Sequence, residues 1–172
     1  MFKVNDHVFY SSTGVCSISD IRIAKVGGMA ERECYVLKPL RDSHSILYVP
    51  TDQTDLSSHM RHLMTKDEIM DLIHAMPGED ILLIINERER SKEYYARVSS
   101  CDSHDLVRVI KSLHHEQRRR KATGKGLNTT DSRIMTAAEN LLHEEFAFVL
   151  GIPVKEVHSF ILEELQVALQ PA

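Results

Sequence analysis

"LMTKDEIMDLIHAMPG", residues 63–78, is where the chain changes its manner of folding. Thr65 and Glu68 stand at capping-box spacing, and Met64 and Ile69 occupy the positions of a hydrophobic staple. Ile69, Leu72, Ile73 and Met76 then recur at helical intervals, so a helix opens here. Upstream the signals are of another kind. Gly14, Gly27, Gly28, Pro39 and Pro50 punctuate short apolar stretches, "HVFY", "GVCSI", "ECYVL" and "SILYVP", which predict short antiparallel strands.

Within the second stretch the alternation runs through Cys16 and Ile18 and then shifts phase to Ile21 and Ile23. Such a slip predicts a bulge or bend near Ser19 and Asp20, which lets a short sheet curl. Four or five strands in roughly sixty residues predict a small SH3-like or Tudor-like barrel with docking surfaces on its loops and edges.

Downstream of residue 66 the only prolines are Pro77, Pro153 and Pro171, each suited to a helix edge, so 66–172 reads as helical throughout. "EDILLIINERERSKEYYARVSS", 79–100, predicts one helix, or two with a break, ending near Ser99 and Ser100. A further helix starts at Asp102 or Ser103. Its apolar stripe is Leu106, Val109, Ile110 and Leu113, and the helical period collects Arg108, Lys111, His115, Arg118 and Arg119 on the other side. Thr129 or Thr130 is the expected cap of a long helix carrying Ile134, Ala138, Leu141 and Leu142, which Gly151 ends. Pro153 then opens a last helix with Val154, Val157, Ile161 and Leu165 inward. The expected fold is α+β: a small antiparallel barrel in residues 1–62 and an all-helical domain of about five helices in 63–172.

Composition bounds the function. In 172 residues, 42% hydrophobic, the net charge is −4, so any nucleic-acid contact must be local rather than global. Cys16, Cys34 and Cys101 share no CxxC spacing and suit a reducing cytoplasm better than a disulfide framework. The start "MFKVNDHVFYSS" lacks a signal-peptide core, and the longest apolar run, "ILLII" at 81–85, is too short for a membrane span. A soluble, cytoplasmic protein with no membrane partner is expected.

No strained glycine-bounded nucleophile and no phosphate-cradling glycine loop occurs; "TGKG" at 123–126 leads from helix to helix and reads as a cap and loop. "HHE" at 114–116 is a poor metal site, because adjacent helical residues point about 100° apart. The expectation is a non-enzyme with no cofactor, no metal and no small-molecule substrate.

What remains is charge. Arg88, Arg90 and Lys92 alternate with acids in "ERERSKE", whereas Arg118, Arg119, Arg120 and Lys121 form a run read as uncompensated. With Lys125, the amides opening the helix after Thr130, and Arg133, this region suits a phosphate backbone, and it equally suits a solvated helix end. Backbone contacts of that kind position a protein without reading bases.

"FKVNDHVFYSSTGVCSISDI", "YVLKPL", "SILYVPTDQ", "ERERSKEYYARVSSCDSHDLVRVIKSL" and "GLNTTDSRIMTAAENLLHEEFAFVLGIPVKEV" occur in order along nearly the whole chain. In these stretches the chain resembles the CarD/CdnL family of bacterial RNA polymerase-binding transcription regulators, and the last two are similar to its clostridial-type members. The resemblance implies a Tudor-like domain, shared with transcription-repair coupling factors, that docks on the RNA polymerase β subunit. It also implies a helical domain that touches promoter DNA near the upstream edge of the bubble, through minor groove and backbone, and so alters open-complex lifetime.

Carried over by position, the DNA side falls on Arg88, Arg90, Lys92, Thr130, Ser132 and Arg133, with Arg118, Arg119, Lys121 and Lys125 close by in the chain. Arg22, Lys25 and Tyr48 are the candidates for the polymerase side. The chain departs from the family in two places. The tryptophan that wedges at the bubble edge is absent, with Glu87 at the matching position, and Tyr48 stands where some relatives carry arginine. The competing expectation is an adaptor whose barrel binds a partner other than polymerase and whose helices are a scaffold.

Overall fold

A computed structural model describes residues 1–28, 30–52 and 59–168, and the chain divides into two units, Met1–Leu63 and Met64–Ala172. Gln53 of the strand motif and Pro171 lie outside the described residues. In the first unit the alternating stretches become β1 (His7–Tyr10), β2 (Gly14–Ala24), β3 (Arg32–Pro39), β4 (Leu47–Pro50) and β5 (Met60–His62). All pairings are antiparallel, in the order β4-β3-β2-β1-β5, giving the Tudor-like sheet.

The phase slip in β2 is a bulge: its register on β3 shifts between Ile18 and Asp20. Polar side chains seat it. The Ser19 hydroxyl donates to the Val36 carbonyl at 3.1 Å, and the Asp20 carboxylate accepts from the Ile21 amide at 2.8 Å. Val8, Cys16, Ile18, Tyr35, Leu37, Val49 and Met60 form the core. Ile23 is 71% exposed because it stands opposite Glu33, where β2 and β3 run on past the end of β4.

The second unit begins with the capping box. The Glu68 amide donates to Thr65 Oγ1, and the Glu68 carboxylate accepts from the Thr65 amide, starting α1 (Lys66–Ala75). Four more helices follow: α2 (Glu87–Val98), α3 (Ser103–Lys121), α4 (Thr129–Leu150) and α5 (Val154–Ala168). α4 packs against each of the other four. Ile134, Ala138, Leu141, Leu142 and Phe146 of α4, with Leu106, Val109 and Leu113 of α3, lie in the core. Among the described residues no helix is long and apolar enough to cross a membrane.

The structure corrects three expectations here. Residues 80–85 are not helical. Their backbone is bonded by side chains instead: the Leu82 amide donates to Ser112 Oγ at 2.8 Å, the Leu82 carbonyl accepts from the Tyr94 hydroxyl, and the Ile84 carbonyl accepts from Arg90. Asn86, by accepting from the Arg88 and Glu89 amides, caps α2 and fixes where helix resumes. Second, the cap of α4 is Asn128, whose side chain accepts from the Asp131 amide at 2.7 Å; Thr129 and Thr130 are already helical. Third, Val154 is 53% exposed, because the first residue of α5 lies beyond the packed stripe that Val157 and Ile161 form. Gly151 ends α4 in the left-handed conformation, φ 70°, as its position foretells.

Candidate nucleic-acid interface

Three helix ends meet in the second unit, and the residues that join them are ionic. Arg90, in the first turns of α2, faces Asp131, in the first turn of α4, through two parallel contacts, Nε to Oδ1 at 3.3 Å and Nη2 to Oδ2 at 2.5 Å. Both side chains are buried, 4% and 0% exposed. Glu87, the first residue of α2, accepts from Arg120 in the last turn of α3 at 2.5 Å. The start of α2, the end of α3 and the start of α4 are therefore held together.

This geometry sorts the expected site residues. Arg90 is not on the surface: its guanidinium is consumed by Asp131 and the Ile84 carbonyl, and it positions helices rather than meeting a ligand. Half of the basic run is compensated as well. Glu116, one turn back on α3, takes Arg119 through two contacts at 2.8 Å and Arg120 through another. Arg119 first, and then Arg120, hold the Glu116 carboxyl down to about 2 against the opposing effect of burial. Arg120 likewise lowers Glu87. Among the described residues, Arg119 and Arg120 of the run are thus paired while Arg118 and Lys121 are not, and within "ERERSKE" Arg90 is paired while Arg88 and Lys92 are not, because side chains three and four apart meet on a helix and neighbours in sequence do not.

Arg88, Lys92, Lys121, Lys125 and Arg133 are exposed, and none has a carboxylate partner among the described residues. Arg88, Lys121, Lys125 and Arg133 lie within about a turn or two of the junction, and Lys92 one turn farther along α2. Thr130 and Ser132 are exposed beside them in the first turn of α4. With Asn128 engaged by the Asp131 amide, the first amides of α4 point out of the helix end, where the macrodipole favours an anion. Arg118 parts company with this group. It turns toward His114, Glu139 and α5, because successive helical residues diverge by about 100°. The same divergence separates His114 from His115, which lies beside Leu82 and Ile85.

One feature of this end was not legible as a site residue in the sequence. Leu83 and Ile85, in the non-helical segment leading into α2, are 74% and 95% exposed. The signal available was Asn86 followed three residues later by Glu89, which marks a helix start and so leaves the preceding apolar run outside the helix.

In the first unit Arg22 on β2 and Tyr48 on β4 meet across β3, the guanidinium donating to the phenol oxygen at 2.5 Å and lying 5.4 Å from the ring centre. Tyr48 belongs to an edge strand of the sheet. Lys25 follows β2 and is exposed.

Residues 2–64 match the CarD-like/TRCF RID domain, and residues 69–162 match the CarD C-terminal domain. No curated protein matches the chain. Sheet and helices together define a transcription regulator that interacts with RNA polymerase. The chain belongs to the CarD family.

Proposed function

We propose that the sheet unit docks on the β subunit of RNA polymerase while the helical unit touches promoter DNA at the upstream edge of the bubble, altering the stability of the open complex. The observation that carries the DNA side of this reading is the Arg90–Asp131 pair, which sets the starts of α2 and α4 together with exposed Arg88 and Arg133 beside them. Arg88, Lys92, Lys121, Lys125 and Arg133 take the phosphates, with Thr130 and Ser132 at the amide-bearing start of α4. Arg119 is largely spent on Glu116, and Arg90 acts only through position.

Glu87 stands where relatives carry tryptophan, but the apolar contact need not be lost. Ile85, and Leu83 behind it, present aliphatic side chains at the mouth of α2, where insertion against a base step can help hold it open. An aliphatic wedge stacks less than an indole, so the stabilisation per open complex is smaller.

Arg22, Tyr48 and the edge strand β4 are the polymerase side, with strand addition supplying backbone hydrogen bonds. Docking raises the local concentration of the helical unit at the promoter, so weak backbone contacts suffice in a chain of net charge −4. A photocrosslinker at Ile85 tests the reading in a polymerase–promoter complex. It should label DNA at the upstream bubble edge, and a crosslinker at exposed Lys155 should not; labelling of protein alone from Ile85 would refute the assignment.

A further inference from the structure

A second feature of the helical unit lies on the other side of α3. Val107 and Ile110 of α3, Leu142 of α4, and Ile161 and Leu165 of α5, with Met76 and Pro77 of the turn after α1, form the apolar lining of a groove of about 270 Å³. That volume is below the ~300–1,000 Å³ typical of pockets that enclose a whole small ligand, and it suits one bulky apolar side chain.

The rim is rich in basic side chains. From α3 come Lys111, His114 and Arg118; from α4, Glu139 and His143; from α5, His158; the turn after α1 contributes no charged side chain to the lining. Glu139 is the only acid among the described lining residues, and His114 already holds it at 3.3 Å. Lys111 donates to the Met76, Pro77 and Glu79 carbonyls. Arg118 has no carboxylate partner among the described residues, and the His143 and His158 rings lie tilted at 53° with centroids 6.4 Å apart. A phosphate backbone would match the cations but leave the apolar lining uncovered.

We propose that this groove docks an acidic segment of a protein partner, one bulky apolar side chain entering the groove while flanking carboxylates reach Arg118, His143 and His158. The arrangement makes docking sensitive to pH. Burial holds His143 below its ordinary value, so in the empty groove it is neutral near pH 7, and an arriving carboxylate favours its protonation. Binding therefore tightens as pH falls through the histidine range.

The test uses the full chain, isotope-labelled for amide spectra, and two short amphipathic peptides with a phenylalanine–leucine stripe, one flanked by glutamates and one by lysines. The glutamate peptide should shift the amides of Val107, Leu142 and Ile161. It should bind about five-fold tighter near pH 6 than near pH 8, and Arg118→Glu should weaken it by about five-fold, the worth of one exposed charge pair. Arg118 is exposed, so this variant keeps its fold, which circular dichroism checks. Equal binding of the two peptides, no shift at these amides, or affinity indifferent to pH and to Arg118→Glu would each overturn the proposal.

Discussion

Arg90 and Asp131, 41 positions apart in sequence, meet as a doubly hydrogen-bonded pair inside the helical unit and fasten the first turns of α2 and α4 to one another. Both groups lose their water, so the pair costs desolvation, and its value lies in where it places its neighbours rather than in net stability.

Removing one partner leaves the other charged and alone. Asp131→Ala should lower unfolding free energy by about 3–5 kcal/mol in urea denaturation, whereas Arg90→Met with Asp131→Leu should recover most of the loss. The double variant should nonetheless act less well on open complexes, since the start of α4 is no longer fixed by a directional contact.

Acid stability should depend on Glu116. Arg119, and then Arg120, hold its folded-state carboxyl down to about 2, below the ordinary value of 4.5. A depressed carboxylate contributes its full stability above the unfolded value and loses it as pH falls through the folded one, so the window runs from about 4.5 down to about 2. Glu116→Gln should cost about 2 kcal/mol at neutral pH, less than the shift alone implies because Arg119 is exposed, and should flatten the stability curve in that window.

Near neutrality two histidines act in opposite directions. Glu139 raises His114, so this pair adds stability below the ordinary histidine value that is lost as pH rises through the raised one. Burial lowers His143, so its contribution is present at high pH and lost as pH falls below the ordinary value. Thermal unfolding of His114→Ala should therefore show a larger cost near pH 6 than near pH 8, and His143→Ala the reverse.

Asn86→Ala should cost about 1 kcal/mol, because the Arg88 and Glu89 amides lose their acceptor. The frayed first turn also frees Ile85 from a fixed approach, so the variant should shorten open-complex lifetime more than its small loss in unfolding free energy suggests.

Local signals were the legible part of this fold. The Thr65–Glu68 box and Gly151 act through neighbours a few residues away, the β2 phase slip shows in the alternation of its own strand, and each stands where the sequence places it. The misread parts depend on distant partners. Residues 81–85 are an apolar run that helix and strand would both accept, and Ser112, Tyr94 and Arg90 bond its backbone from other parts of the chain. The basic run at 118–121 was legible as charge, but its partners Glu116 and Glu87 lie a turn away and on another helix. Arg90 looked like its neighbours Arg88 and Lys92 until Asp131 came across from α4.

The most direct test is the lifetime of a promoter open complex measured against the concentration of this protein. Arg22→Glu with Tyr48→Ala should raise the half-saturating concentration by about ten-fold and leave the plateau unchanged, since a lost docking contact of about 1.4 kcal/mol shifts occupancy alone. Arg88→Ala with Arg133→Ala should lower the plateau and move the midpoint little. If both pairs changed the same parameter, or if neither changed any, the division between a polymerase-docking sheet and a DNA-touching helical end would be wrong.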